Sequence, residues 1–294
     1  MKKIYIDTDV GADCDDIGAL AIALQAEKLG YCSVIGISHT TSSPFAADAI
    51  AIMMDYFDKK DMAVGCLQDE HQFYDESVIH YDQAMVEAYP HIKAKKEEAV
   101  RYARKALIAQ EDGSVTFVTI GPLRNLADLL RSEPDDISPL DGVALFHKKV
   151  KEWVFMGGRF DEERIGEYNI VCDVENARHC LEEIRVPTMA IDFLLGEDVI
   201  SGVLSKDIPP LRLAYDHFSG KGKGRSSWDP ITMDYAIYGL GEHYDASPRG
   251  IISLQSKGVT VFEENPTGHH RYLICKTTKK KIEHSLNHKM EGTL

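Results

Sequence analysis

The 294-residue sequence predicts an α/β fold around a mostly parallel sheet, and three observations carry that expectation. Apolar runs of strand length alternate with runs of helix length. The strand-length runs are apolar on successive residues, as in strands covered on both faces. Polar and charged residues collect just after these runs, where ligands sit in parallel sheets.

The first strand is Ile4 to Ile6. Five carboxylates follow within ten residues: Asp7, Asp9, Asp13, Asp15 and Asp16. Behind them Ile17 to Leu24 is apolar enough for a buried helix. Two like charges ~4 Å apart repel by about 4 kcal/mol at an effective dielectric near 20. Such a cluster needs protons or a cation, and oxygen-only donors suit calcium or magnesium. Asp15 and Asp16 also occupy the cap and first turn of that helix, where the dipole favours carboxylates on its own account.

Ser33 to Ser38 reads as the second strand. Pro44 suits the start of a helix reaching about Phe57, and Met62 to Leu67 is a third strand. Gln68 to Ile92 is irregular, with His71, His80, His91, Phe73, Tyr74, Tyr81 and Tyr89; it reads as a flap over the site or as a surface excursion. Ala94 to Gln110 has the pattern of a charged amphipathic helix. Val115 to Ile120 is a strand, and Gly121-Pro-Leu-Arg-Asn125 opens a helix to about Arg131. Val150 to Met156 is a strand ended by Gly157-Gly158. A helix follows from Val174 to Ile184, then a short strand from Thr188 to Asp192. Gly220-Lys-Gly-Lys-Gly-Arg225 reads as a mobile connection or a lid. It leads into Trp228-Asp-Pro230 and another helix. Ile251 to Phe262 reads as a hairpin around Ser256-Lys-Gly258, Tyr272 to Lys276 as a last strand, and Lys279 to Lys289 as a terminal helix. With no linker, repeat or low-complexity tract, residues 1–294 read as one domain.

The formal charge of −14 excludes a basic footprint for nucleic acid or an anionic membrane. Six cysteines without CxxC spacing read as free thiols in a reducing cytoplasm. No apolar run is long enough to cross a bilayer.

Four motifs in order resemble the inosine-uridine-preferring nucleoside hydrolase family: Asp7-Thr-Asp9 with Gly11 and Asp15-Asp16; Ile120-Gly-Pro-Leu-Arg-Asn125; Met156-Gly-Gly158 with Glu167-Tyr-Asn169 and Asp173; and Trp228-Asp229-Pro230. The resemblance spans most of the chain. It implies an open, mostly parallel sheet with helices on both faces and a calcium ion at the C-terminal strand ends. By matching positions, Asp9, Asp16 and Asp229 would ligate the ion through carboxylates and Ile120 through its carbonyl. Asp15, Glu167 and Asn169 would hold the ribose hydroxyls, with Met156 and Trp228 in the substrate site. Asp9 would be the catalytic base toward a water on the ion. The implied reaction cleaves the N-glycosidic bond of a ribonucleoside or nucleoside-like compound to ribose plus base, with inversion. The implied partner is a small molecule, and by analogy the chain forms a homodimer or homotetramer.

The sequence also departs from the family pattern. Five residues, Val10 to Cys14, stand between Asp9 and the Asp15-Asp16 pair where three are usual, and one of them is Asp13. Asp13 is therefore a further candidate for the sugar or the ion. Ser42 or Ser43 stands near the place of an expected asparagine, and a second expected asparagine is absent from 159–165. Trp228 replaces the histidine that protonates the leaving base in members preferring inosine and uridine. His39 is a candidate substitute acid. Two alternatives stay open at this level: a non-catalytic homologue that binds calcium and a ribosyl group, and a magnesium-dependent phosphatase of the haloacid-dehalogenase type, which the Asp7-Thr-Asp9 run superficially fits.

Overall fold

The computed structural model describes residues 1–68 and 80–293. The strands are β1 Lys2–Thr8, β2 Cys32–His39, β3 Val64–Cys66, β4 Lys96–Glu98, β5 Val115–Thr119, β6 Val150–Met156, β7 Thr188–Ile191, β8 Ile200–Ser201, β9 Arg225–Ser226, β10 Tyr244–Ala246, β11 Gly250–Leu254, β12 Thr260–Glu264 and β13 His270–Cys275. The helices are α1 Asp15–Lys28, α2 Ala46–Tyr56, α3 Tyr81–Ala88, α4 Ala99–Ile108, α5 Arg124–Arg131, α6 Gly142–Lys149, α7 Tyr168–Cys172, α8 Val174–Glu183, α9 Phe193–Glu197, α10 Pro209–Ser219, α11 Trp228–Tyr238 and α12 Lys279–Glu291.

The main sheet runs β12-β11-β13-β7-β6-β5-β1-β2-β3-β4, with β10 beside β13. Every pairing from β4 across to β7 and β13 is parallel, while β10, β11 and β12 pair antiparallel at the far edge. The chain leaves β1 outward through β2, β3 and β4. It then returns to β5 and proceeds the other way. The order of strands therefore reverses between β1 and β5, and the crevice beyond their carboxyl ends is where such sheets bind ligands.

Helices cover both faces. One core joins residues such as Leu20, Ile50, Tyr215, Ile231 and Leu286 from α1, α2, α10, α11 and α12. The other joins Leu107, Leu126, Phe146 and Leu181 from α4, α5, α6 and α8. α1 is buried continuously from Asp15 to Ala26 because the sheet lies on one side of it and α11 and α12 lie on others. That placement explains why its sequence is apolar all round instead of striped.

Three readings of the sequence are corrected. Ala94 to Gln110 is not one helix. Lys96–Glu98 forms the parallel edge strand β4 on β3, and a charged Lys-Glu-Glu run suits an exposed edge. The helix begins only at Ala99 because the Glu98 side chain accepts the Val100 and Arg101 N–H groups at 2.8 and 2.7 Å. Pro44 lies in a turn, and α2 starts two residues later. α6, capped by Asp141 through the Ala144 N–H at 2.8 Å, adds a helix that the sequence pattern did not signal. His71, Phe73 and Tyr74 of the expected flap lie outside the described residues. No helix among the described residues is long and apolar enough to cross a membrane, and all six cysteines are free thiols.

The terminal helix is pinned to α11 by a buried ion pair. Lys289 Nζ donates to Asp234 at 2.5 Å and lies 4.7 Å from the centre of the Tyr238 ring, and the Tyr244 hydroxyl donates to the other Asp234 oxygen at 2.9 Å. Removing one partner leaves a buried charge uncompensated. Lys289→Met is expected to cost about 3 kcal/mol in urea unfolding; a loss under about 1 kcal/mol would mean that Asp234 is solvated in the folded chain.

Candidate active site

Asp9 lies one residue past β1, Asp16 in the first turn of α1, and Asp229 in the first turn of α11. The fold brings one carboxylate oxygen from each to within 4.8 Å of the others. The three residues expose only 6, 1 and 5 % of their surface, so bulk water does not neutralise them. Burial, reinforced by neighbouring carboxylates, holds all three carboxyls well above the usual range; the strongest neighbour is Asp15 for Asp9 and Asp229, and Asp9 for Asp16. The Thr8 hydroxyl donates to Asp16 Oδ1, and the Asp9 N–H donates to the same oxygen at 3.2 Å. Asp16 Oδ2 is buried and has no hydrogen-bond partner among the described residues.

The Ile120 to Asn125 motif has a structural reason. The Ile120 N–H donates to the Asp7 carbonyl at 2.8 Å, which locks the end of β5 to β1. Gly121 must lack a side chain: a Cβ there would stand 2.7 Å from Asp9 Cβ. Asn125 Nδ2 bridges Asp7 Oδ1 at 2.8 Å and the His39 carbonyl at 3.0 Å, tying β1 to β2. Asp7, register partner of Ser38, also accepts its hydroxyl at 2.6 Å. It supports the site from behind, and burial pushes its carboxyl up to about 6.

The cluster opens into a cavity of about 470 Å³ lined by Asp9, Asp13, Asp15, Asp16, Ile120, Met156, Glu167, Asn169, Trp228 and Asp229, with Ala12, Tyr168, Phe193, Phe218 and Arg225. Asp15, Glu167 and Asn169 of the wall are each fixed by backbone. The Asp229 N–H donates to Asp15 Oδ2 at 3.0 Å, linking the two ends of the polypeptide. Glu167 caps α7 by accepting the Asn169 and Ile170 N–H groups at 2.9 and 3.2 Å, and burial pushes it up to about 7. Asn169 Nδ2 donates to the Met156 carbonyl at 3.3 Å.

Two sequence candidates do not join this wall. His39 is buried in β2 away from the cavity lining, and burial pushes its imidazole down to about 4, so the ring is neutral near pH 7. Ser42 is half-buried and also outside the lining; its neighbour Ser43 donates to Asp82 instead. Asp13 lines the cavity but is engaged by Arg225, which donates from Nε at 2.8 Å and Nη2 at 2.6 Å. Asp13 is not among the three converging carboxylates. The glycine-rich loop before Arg225 is held as well, by the Gly222 N–H on Asp216 at 2.7 Å.

Sequence reasoning missed Phe193, Phe218, Tyr168 and Arg225 as wall residues. Phe193 follows β7 at the same sheet end as the aspartates, and that position was the available signal. Phe218 on α10, Tyr168 on α7 and Arg225 on β9 reach the wall through tertiary packing, which leaves no pattern in the chain.

Fold and site together define a class: a parallel α/β protein with a buried carboxylate cluster at its topological switch point, suited to a hard cation. A sequence profile of the inosine-uridine preferring nucleoside hydrolase family matches residues 4–246, and the chain belongs to that family. The chain is 31% identical over 195 residues to the uncharacterized protein C17G8.02 of Schizosaccharomyces pombe, covering 61% of this chain and 53% of that one. It is 36% identical over 89 residues to the pyrimidine-specific ribonucleoside hydrolase RihB of Escherichia coli, covering 29% of this chain and 25% of that one. The match thus spans about half, or less, of these curated relatives. An inosine-uridine preferring nucleoside hydrolase from Bacillus anthracis has the same fold, with a TM-score of 0.72 at 18% identity over 99% of this chain and 100% of that one. The family placement removes the phosphatase alternative.

Protons and a cation compete for the same oxygens. In the ion-free protein the raised carboxyls contribute stability that is full below the unfolded carboxylate pKa and lost as pH rises; a bound cation offsets that loss. The increase in Tm given by a fixed divalent-ion concentration is therefore expected to shrink as pH falls from about 8 to about 5. Thermal unfolding with and without chelator measures it, and an increment that stays level would place the ion elsewhere.

Proposed function

We propose that this chain hydrolyses the N-glycosidic bond of a ribonucleoside or nucleoside-like ribosyl compound to ribose and base, with calcium as its ion. The convergence of Asp9, Asp16 and Asp229 in one cavity carries this reading. The donor set suits the ion. It offers oxygen alone, and oxygens on opposite sides of a calcium at ~2.4 Å stand ~4.8 Å apart, against the 4.8 Å within which these three fall. The buried, unpartnered Asp16 Oδ2 would find a partner there, and the Ile120 carbonyl would complete the protein's share. When bound, calcium would offset the crowded negative charge and orient a water and the sugar hydroxyls.

The residues of the chain then divide the work. Asp9 takes a proton from the attacking water. Asp15, Glu167 and Asn169 hold the ribose hydroxyls, each pre-set by the backbone contacts described above. The carboxylates close to the ring stabilise the oxocarbenium-like charge that develops on the sugar. The glycosidic bond breaks as its electron pair leaves with the base. Attack from the opposite face inverts the anomeric carbon. RihB is by its name a ribonucleoside hydrolase, which supports the substrate class.

Asp9→Ala and Asp229→Ala are each expected to lower ribose release by at least about 100-fold while leaving circular dichroism unchanged. Full activity in either variant would refute the role given to that residue. Ribose binding by calorimetry with no turnover of any nucleoside would replace this reading with a non-catalytic binder.

A further inference from the structure

Among the described residues no histidine lines the cavity in which the leaving base would sit. Trp228 carries one donor, and that donor is spent: its indole N–H donates to the Phe193 carbonyl at 2.8 Å. The ring itself stacks on Phe193 with centroids 5.2 Å apart and planes 24° apart. Arg225 is the one cation among the described lining residues. Its guanidinium carbon lies 5.1 Å from the Trp228 ring centre and 5.5 Å from that of Phe218. Phe193, Trp228, Arg225 and Phe218 thus form one continuous aromatic and cationic wall beside the carboxylates. The wall meets the carboxylates directly, because Trp228 precedes Asp229, whose N–H donates to Asp15 at 3.0 Å.

Asp13 fixes that cation. Two edges of the fork are taken, Nε and Nη2, both on Asp13. Nη1 makes no hydrogen bond or ion pair among the described residues. Its two N–H groups remain for a ligand, on a guanidinium held planar and oriented by a half-buried carboxylate and two rings. The extra acidic residue between Asp9 and Asp15 thereby gains a use that neither the ion nor the sugar requires.

We propose that Arg225 is a catalytic residue that stabilises the departing base as an anion, with Asp13 as its positioning residue, in place of a proton-donating acid. The inference rests on the hydrolase reading above. As the C1′–N bond breaks, its electron pair goes to the base nitrogen. The resulting negative charge is met by the Nη1 donors of a guanidinium that stays charged throughout. The water oxygen bonds to C1′ and its proton goes to Asp9. The released base takes a proton from solvent after it leaves, and Asp9 returns its own to solvent. Arg225 offers only donors, so it faces acceptor atoms of the base.

Leaving-group dependence tests this. From p-nitrophenyl β-D-ribofuranoside the leaving group departs unaided as a stable p-nitrophenolate anion, whereas the base of an unmodified nucleoside does not. Arg225→Met is expected to lower kcat on the nucleoside about 100-fold and on the nitrophenyl riboside only about threefold, the size of effect seen when one charge-stabilising donor is removed. Arg225→Lys, a point charge without the fork, should recover about tenfold of the nucleoside loss. Asp13→Asn should lower kcat for the nucleoside about tenfold with KM less affected, since it loosens the guanidinium without removing it. Equal losses on both substrates, or a nucleoside-specific loss in Tyr168→Phe as large as that of Arg225→Met, would overturn the proposal alone. A wild-type protein that cleaves neither substrate would overturn the hydrolase reading and this inference with it.

Discussion

The interaction on which the rest of this structure depends is repulsion among buried carboxylates. Asp9, Asp16 and Asp229, with Asp15 beside them, are held closer than charged groups tolerate in a medium that screens poorly. Folding enforces the approach through backbone that has no alternative. β1 ends at the centre of the sheet, α1 is enclosed on all sides, and the first turn of α11 is drawn in by the Asp229 N–H on Asp15. The apolar cores supply the stabilisation that offsets the local cost. Such strain concentrates where function requires it, and here it makes a proton or a cation part of the folded state.

The surroundings are built to keep that cluster in place. Asn125, Ser38 and the Ile120 N–H fasten Asp7 and the two strands flanking β1. Tyr81 contributes from α3, its hydroxyl accepting the Gly11 N–H at 2.9 Å, so the loop between Asp9 and Asp15 is held from below as well. Opposite lies the wall of Phe193, Trp228, Arg225 and Phe218, set by stacking and by the Asp13 pair. One side of the cavity is thus dominated by charge and backbone donors, the other by rings and a single cation.

The architecture was legible because burial leaves a pattern. Continuous apolar runs identified β1, β2, β5 and β6, and the run behind Asp16 identified α1. The lining aspartates, Ile120, Met156, Glu167, Asn169 and Trp228 were legible for a different reason: they belong to motifs that stand in the family's order. Lys96 to Glu98 was not legible, since an edge strand of three charged residues looks like one turn of the helix it precedes. His39 was misleading. A histidine in a polar-looking segment suggests an exposed acid, and only the pairing of β2 against β1 shows it to be buried. The partner of Asp13 was beyond reach, because 212 residues separate it from Arg225.

The same separation governs when the site comes into being. Asp9 and Asp16 are synthesised early, but Asp229 arrives late, on a helix clamped by α12 at the very end of the described chain. A segment that reaches only as far as β9 therefore carries two of the three acidic groups and not the third. Capture of an ion by all three must follow closure of the long-range contacts that bring α11 to β1 and α1, which are slow to form in parallel sheets. A cation held by all three carboxylates would then seal a largely assembled fold instead of nucleating it.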